Sequence, residues 1–114
     1  MPEIRIVRDR ISEEELRELA KDLYVSMIKG VVDVDQEIIA VGGEYHIDAS
    51  NILTTEGSEQ ESVWGFNWYF NREKDPIEYV SLINIRPAQD NLSMEVEDRS
   101  LRDKIRAIIT KRIQ

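Results

Sequence analysis

The spacing of apolar and polar positions changes period several times along this 114-residue chain, and each change marks an element. Glu3 to Arg8 sets Ile4 and Ile6 on one side against mostly charged neighbours, a short strand. Ser12-Glu13-Glu14-Glu15 is a capping box, with Ile11 and Leu16 placed as a hydrophobic staple. Leu16, Leu19, Ala20, Leu23, Met27 and Ile28 follow at helical spacing, and Gly30 stands where a helix would stop, so a helix is predicted over 12–29. The β-branched runs VVDV and EIIAV predict a hairpin. Gln36 suits a tight two-residue turn poorly, which favours a slightly longer loop.

Gly42-Gly43 then breaks or bulges the second strand, or admits another backbone. If GGEYHID continues extended, Glu44, His46 and Asp48 share one face, roughly 7 Å apart. Asp48 is also a cap for a two-turn helix, ASNILTTEG, that ends at Gly57, and residues 58–62 read as a polar loop. Val63 to Phe70 alternates Trp64, Phe66, Trp68 and Phe70 against Val63, Gly65, Asn67 and Tyr69, the strongest strand pattern in the chain. NREKDP forms a turn, and IEYVSLINIR is predicted to pair back until Pro87 stops it. In that register Val63, Gly65 and Asn67 share a face with Val80, Leu82, Asn84 and Arg86. Residues 87–97 lack periodicity. Asp98 caps a last helix over 98–113, striped by Leu101, Ile105, Ile108, Ile109 and Ile113.

These elements predict one α+β domain over residues 1–114. It is a mainly antiparallel sheet of four or five strands packed with two longer helices, about 12–29 and 98–113, and one short helix. A hydrophobic content of 41% supports a core despite 33% charged residues.

Charge is unevenly placed. The net charge is −8, yet residues 99–114 carry six Lys or Arg and one Asp, a balance of +5. Gly30 to Asn71 holds eight Asp or Glu and neither Lys nor Arg. A basic helix beside an acidic body is expected to be attracted to that body, or to another subunit's, rather than to phosphates. With no cysteine, thiolate metal sites and cysteine nucleophiles are excluded. The N-terminal residues lack the apolar core of a signal peptide and no stretch reaches membrane-spanning length, so a cytoplasmic location is the default expectation.

Two clusters carry candidate chemistry. In the first, Glu44, His46 and Asp48 could hold a divalent metal, or a carboxylate could orient the imidazole as a general base; the plainer reading is a strand edge running into a cap. In the second, Asn67, Asn84 and Arg86 share an otherwise apolar face. Their amides and guanidinium must find partners there, either an anionic ligand or the fold itself, with Glu44 or Glu61 available to Arg86. Trp64, Phe66 and Trp68 at a spacing of two read as core rather than as a stacking platform. No nucleophile elbow, phosphate-binding glycine loop or dinucleotide fingerprint is present, and no cofactor is expected.

The segments GGEYHID, GSEQESVWGFN and SLINIRPAQDN together resemble a family of small prokaryotic proteins catalogued only as a domain of unknown function. The similarity runs from KGVVDVD to the closing basic helix, and its marks are Trp64-Gly65 followed by Asn67, and Asn84-Ile85-Arg86-Pro87. The resemblance implies no activity and assigns no catalytic residue.

The functional expectation is a binding or interaction protein that recognises an anionic ligand or partner group near Arg86 and His46. The site would comprise Glu44, His46, Asp48, Asn67, Asn84 and Arg86. One alternative is a metal-dependent or His-assisted hydrolase centred on His46. Another is a regulator that contacts a partner or nucleic acid through the C-terminal helix. A small molecule, a protein or a second copy in a homodimer are the partners the chain admits; nucleic acid and membrane are disfavoured.

Overall fold

A computed structural model describes residues 3–71 and 75–114. The protein is an α+β fold built on a five-stranded antiparallel sheet, ordered β1-β3-β2-β4-β5. The strands are β1 (Ile4–Val7), β2 (Met27–Asp33), β3 (Ile38–Gly42), β4 (Val63–Tyr69) and β5 (Ile77–Glu78). The helices are α1 (Glu13–Ala20), α2 (His46–Thr55) and α3 (Arg99–Arg112). Among the described residues no helix is long and apolar enough to cross a membrane.

Pleat parity divides the apolar residues into two cores. On one face Ile28, Val32, Ile39, Trp64 and Phe66 pack with Leu16 and Ala20 of α1 and with Ile105, Ile108 and Ile109 of α3. On the other, Val31, Ile38, Ala40 and Val63 pack beneath Ala49 and Leu53 of α2. Trp64 and Phe66 are thus core residues, and partly buried Trp68 packs against the same cluster.

The local signals formed as expected at several points. Ser12 Oγ accepts from the Glu15 amide at 3.1 Å while Glu15 accepts from the Ser12 amide at 3.3 Å. Asp98 accepts from the Ser100 amide at 2.9 Å and opens α3. The hairpin between β2 and β3 has a four-residue loop between the paired residues Asp33 and Ile38. At its far end Gly42 and Gly43 take φ values of 111° and 83°. A Cβ on Gly42 would lie 2.4 Å from the Glu3 carbonyl oxygen, so the close backbone approach of β1 requires glycine there.

Three expectations are corrected. The helix predicted over 12–29 ends at Ala20, and Met27 to Lys29 belong to β2, where they pair with Tyr69, Trp68 and Asn67. Those cross-strand partners hold 27–29 extended, although their apolar spacing also fits a helix. Gly30 therefore lies inside a strand, where Phe66 packs over its Cα: a Cβ there would meet the ring at 2.5 Å.

The GGEYHID segment does not continue extended; it turns at the glycines, and α2 begins at His46 with Tyr45, not Asp48, at the cap position. Lastly, IEYVSLINIR pairs as a strand only at Ile77–Glu78. Beyond it come a bridge from Val80 to Glu95 and 3-10 turns at Leu82–Asn84 and Pro87–Gln89. The parity survives, since Asn67 stands beside Glu78 and Trp68 beside Ile77. The turn predicted at NREKDP falls partly outside the described residues.

Candidate ligand-binding site

Where β4 loses its strand partner, side chains take over the pairing. Asn84, fully buried, accepts from the Gly65 amide at 2.8 Å and donates to the Gly65 carbonyl at 3.0 Å and the Met94 carbonyl at 3.2 Å. Asn91 does similar work behind it, donating to the carbonyls of Asn84 at 2.7 Å and Glu95 at 2.7 Å and accepting from the Glu97 amide at 2.9 Å. These amides hold residues 80–97 against the sheet. Every polar atom of the Asn84 side chain is committed, so it is a structural residue.

On the face that α2 covers, Lys29, Asn67 and Glu78 stand side by side across β2, β4 and β5. The first residue of α2, His46, lies against this polar row, 91% buried. Its Nε2 is 2.8 Å from the Phe66 carbonyl oxygen and 2.9 Å from Asn67 Oδ1. The Asn67 amide group is itself oriented, because its Nδ2 donates to Glu78 at 2.8 Å and to the Val80 carbonyl at 3.3 Å. Both neighbours of Nε2 are acceptors, so Nε2 carries the proton in the neutral ring and Nδ1 presents a lone pair. Nδ1 has no partner among the described residues. It is not a closed-off atom either, since Trp68 Nε1 is the one buried side-chain polar atom left unpaired among them.

Burial lowers the His46 pKa below its ordinary 6.5, and nearby Lys29 lowers it further. The hydrogen bond to Phe66 and the contacts with Asn67 and Glu78 work against that shift without reversing it. The imidazole is therefore neutral at physiological pH.

This ring lines a half-open hollow of about 320 Å³, between the start of α2 and the 80–83 segment, with Met94 at its wall. The floor is polar: Lys29, His46, Asn67 and Ser81. The walls are apolar, formed by Ile47, Val80, Leu82 and Ile83. Of the seven large hydrophobic residues that stand exposed among the described residues, four, Tyr45, Ile47, Leu82 and Met94, line this one hollow. Gly65 makes the floor possible. A Cβ on it would sit 2.7 Å from Ser81 Oγ and 3.3 Å from His46 Cδ2.

Lys29 supplies the charge. Its ammonium lies 5.3 Å from the Tyr24 ring centroid and 5.6 Å from that of Tyr45, within cation–π range of both. The Tyr24 hydroxyl donates to the Glu44 carbonyl at 2.8 Å, which ties the 43–45 turn to this pair. No carboxylate among the described residues forms an ion pair with Lys29. The cation is positioned but not neutralised.

Of the residues the sequence singled out, His46 and Asn67 meet in this hollow. Asn84 lies beneath it in the backbone pairing. Glu44 and Asp48 are exposed, and since His46 opens a helix rather than extending a strand, the shared face on which a metal set depended does not form. Among the described residues no group of three His, Cys, Asp or Glu is placed to hold a metal ion.

Arg86 faces a neighbouring hollow of about 340 Å³, and Ile47 and Ile83 line both. Its guanidinium is occupied: Nε donates to the Ile83 carbonyl at 3.0 Å, Nη2 to the Val63 carbonyl, Nη1 to Gln89 at 3.3 Å, and the group lies 4.4 Å from the Trp64 ring centroid. Burial lowers its pKa, with Glu61 acting in the opposite direction. The basic helix is largely engaged too. Arg102 bonds the Val96 carbonyl, Arg106 pairs with Asp75, Lys111 with Glu37 at 3.7 Å, and Arg112 bonds the carbonyls of Glu37 and Asp9.

Sequence reasoning missed Lys29, because the helix predicted over 12–29 absorbed it. The signal was available in MIKGVVD, whose alternation puts Lys29 in phase with Val31 on one strand face.

Comparison with known proteins gives one match. A family profile described as "Protein of unknown function (DUF5674)" covers residues 5–112. No curated protein matches. No solved structure matches.

Proposed function

The chain belongs to that family, and we propose that it is a binding module whose hollow at the start of α2 receives the anionic end of a small ligand. The observation that carries this reading is Lys29, set between two tyrosine rings at a concave, apolar-walled surface and without an ion-pair partner among the described residues. A side chain as flexible as lysine gains little from being fixed beside the fold, whereas a pre-positioned ammonium lowers the ordering cost of binding an anion. A size of about 320 Å³ falls at the lower end of small-molecule sites, which suits a ligand with few heavy atoms.

The anion-binding role expected of Arg86 moves, in this reading, to Lys29. His46 fixes orientation, and Asn67, whose own amide is committed, holds the imidazole in place. A carboxylate also finds the first-turn amides of α2 favourable, because Tyr45 at the cap position offers them no side-chain hydrogen bond.

Calorimetric titration with small apolar monocarboxylates and their uncharged amides tests the reading. The acids should bind and their amides should not, and Lys29→Met should weaken the acids by about tenfold or more, the scale of one lost charge-assisted contact. If Lys29→Met binds the acids as wild type does, or if no acid binds, the assignment is wrong.

A further inference from the structure

Resting on the anion-binding reading above, we propose that the hollow is made for the carboxylate end of an N-acylated apolar amino acid, either as a free small molecule or as the last residue of a peptide. Three groups of the site define that chemistry.

Lys29 takes the carboxylate. His46 then asks for a donor, since its Nε2 proton is spent on Phe66 and Asn67 and its Nδ1 lone pair is open. Lys29 and Asn67 are direct cross-strand partners, Asn67 binds the His46 imidazole at 2.9 Å, and Lys29 and His46 line the same hollow, so cation and acceptor stand close together. A ligand that satisfies both must carry its donor close to its carboxylate, on the α-carbon.

The donor has to be uncharged. A free amino acid would bring an ammonium beside Lys29, and Glu78, the carboxylate of the row, does not line the hollow and turns Oε1 to Asn67 at 2.8 Å and the Tyr69 hydroxyl at 3.0 Å. An acylated nitrogen keeps the N–H and removes the charge. The apolar walls at Val80, Leu82 and Ile83 receive the side chain, and the exposed Ile47 and Leu82 at the mouth leave the acyl group a way out. A plain carboxylic acid would leave Nδ1 without a partner in a hollow from which it had displaced water, the kind of loss that discriminates strongly between analogues.

Amide-resolved NMR titrations of the full chain provide the test, using N-acetyl-L-phenylalanine, its primary amide, and 3-phenylpropionate, which keeps the carboxylate and ring but lacks the donor. N-acetyl-phenylalanine should shift the amides of Lys29, His46 and Asn67 and bind at least tenfold tighter than either analogue. His46→Gln, whose Nε2 can replace the imidazole Nε2–H donor while its oxygen does not fall at the Nδ1 position, should bring N-acetyl-phenylalanine down to the level of 3-phenylpropionate.

An acetylated tripeptide ending in phenylalanine separates the sources. Tighter binding than N-acetyl-phenylalanine identifies a peptide end, and weaker binding identifies a free acyl amino acid; either supports the proposal. Equal binding of 3-phenylpropionate and N-acetyl-phenylalanine overturns the donor inference and leaves anion binding standing. Equal binding of the acid and its primary amide, or no binding by any of them, removes the anion-binding reading and this proposal with it.

Discussion

Replacing Asn84 with alanine tests whether the paired backbone of β4 is completed by a side chain. The substitution removes three hydrogen bonds at a site with no solvent access: from the Gly65 amide at 2.8 Å, and to the Gly65 and Met94 carbonyls at 3.0 and 3.2 Å. Each lost bond is worth about 1 kcal/mol net, and a buried backbone group left unpaired costs roughly 1–3 kcal/mol. Gly65 loses both its partners at once. A loss of about 3–5 kcal/mol is expected, a large part of the stability of a domain this size.

Urea unfolding followed by tryptophan fluorescence reads it. With a slope of about 1–3 kcal/mol/M, the midpoint should fall by at least about 1 M while the slope itself stays constant. Asn84→Asp is the informative companion. It preserves the acceptor for the Gly65 amide but turns carboxylate oxygen towards two carbonyls, so it should be no better tolerated than alanine near neutral pH. A loss below about 1 kcal/mol for Asn84→Ala would show that water or a shifted 80–84 segment replaces the amide, and the structural role assigned to Asn84 would have to be given up.

Two further outcomes follow from the same geometry. The native His46 pKa is lowered from 6.5, so below that pH the unfolded chain binds a proton that the folded chain refuses. Its contribution to stability is full above about pH 6.5 and is lost as pH falls towards the lowered value. His46 is the single histidine, so His46→Gln should flatten stability between about pH 5 and 6.5 in urea titrations; an unchanged slope would refute burial of a neutral ring. Gly30→Ala forces a methyl group to 2.5 Å from the Phe66 ring inside a core with little room to shift, and should cost about 1–3 kcal/mol by thermal unfolding. A neutral result would mean that Gly30 is there for a reason other than the ring above it.

What the sequence made legible were the elements whose causes are local. The Ser12–Glu15 capping box, the Asp98 cap with its isoleucine stripe and the alternation of Val63 to Phe70 all carry their own explanation within a few residues. The extent of α1 does not. Leu23, Met27 and Ile28 continue its helical spacing, and what breaks the helix is pairing of Met27, Ile28 and Lys29 with Tyr69, Trp68 and Asn67, some forty residues away. The partner strand after Ile77 was lost for the opposite reason. Its alternation persists, but Ser81 Oγ accepting from the Ile83 amide at 3.3 Å starts a tight turn, and the bond between Asn84 and Gly65 replaces the ladder.

The same distinction explains how much of the site could be read. His46, Asn67 and Asn84 stood out as polar groups that needed partners, and two of them do meet in one hollow. Arg86 attracted attention for its charge, but a guanidinium on a sheet end has backbone carbonyls within reach. Three of its nitrogens are used on Ile83, Val63 and Gln89, which leaves it little to offer a ligand. Lys29 is not satisfied in the same way: two tyrosines hold it by their faces, and no carboxylate among the described residues pairs with it. Lys29, without an ion pair among the described residues, thus lies on a strand hidden by a helical pattern. It becomes visible only when β2 and β4 are paired and Lys29 falls opposite Asn67.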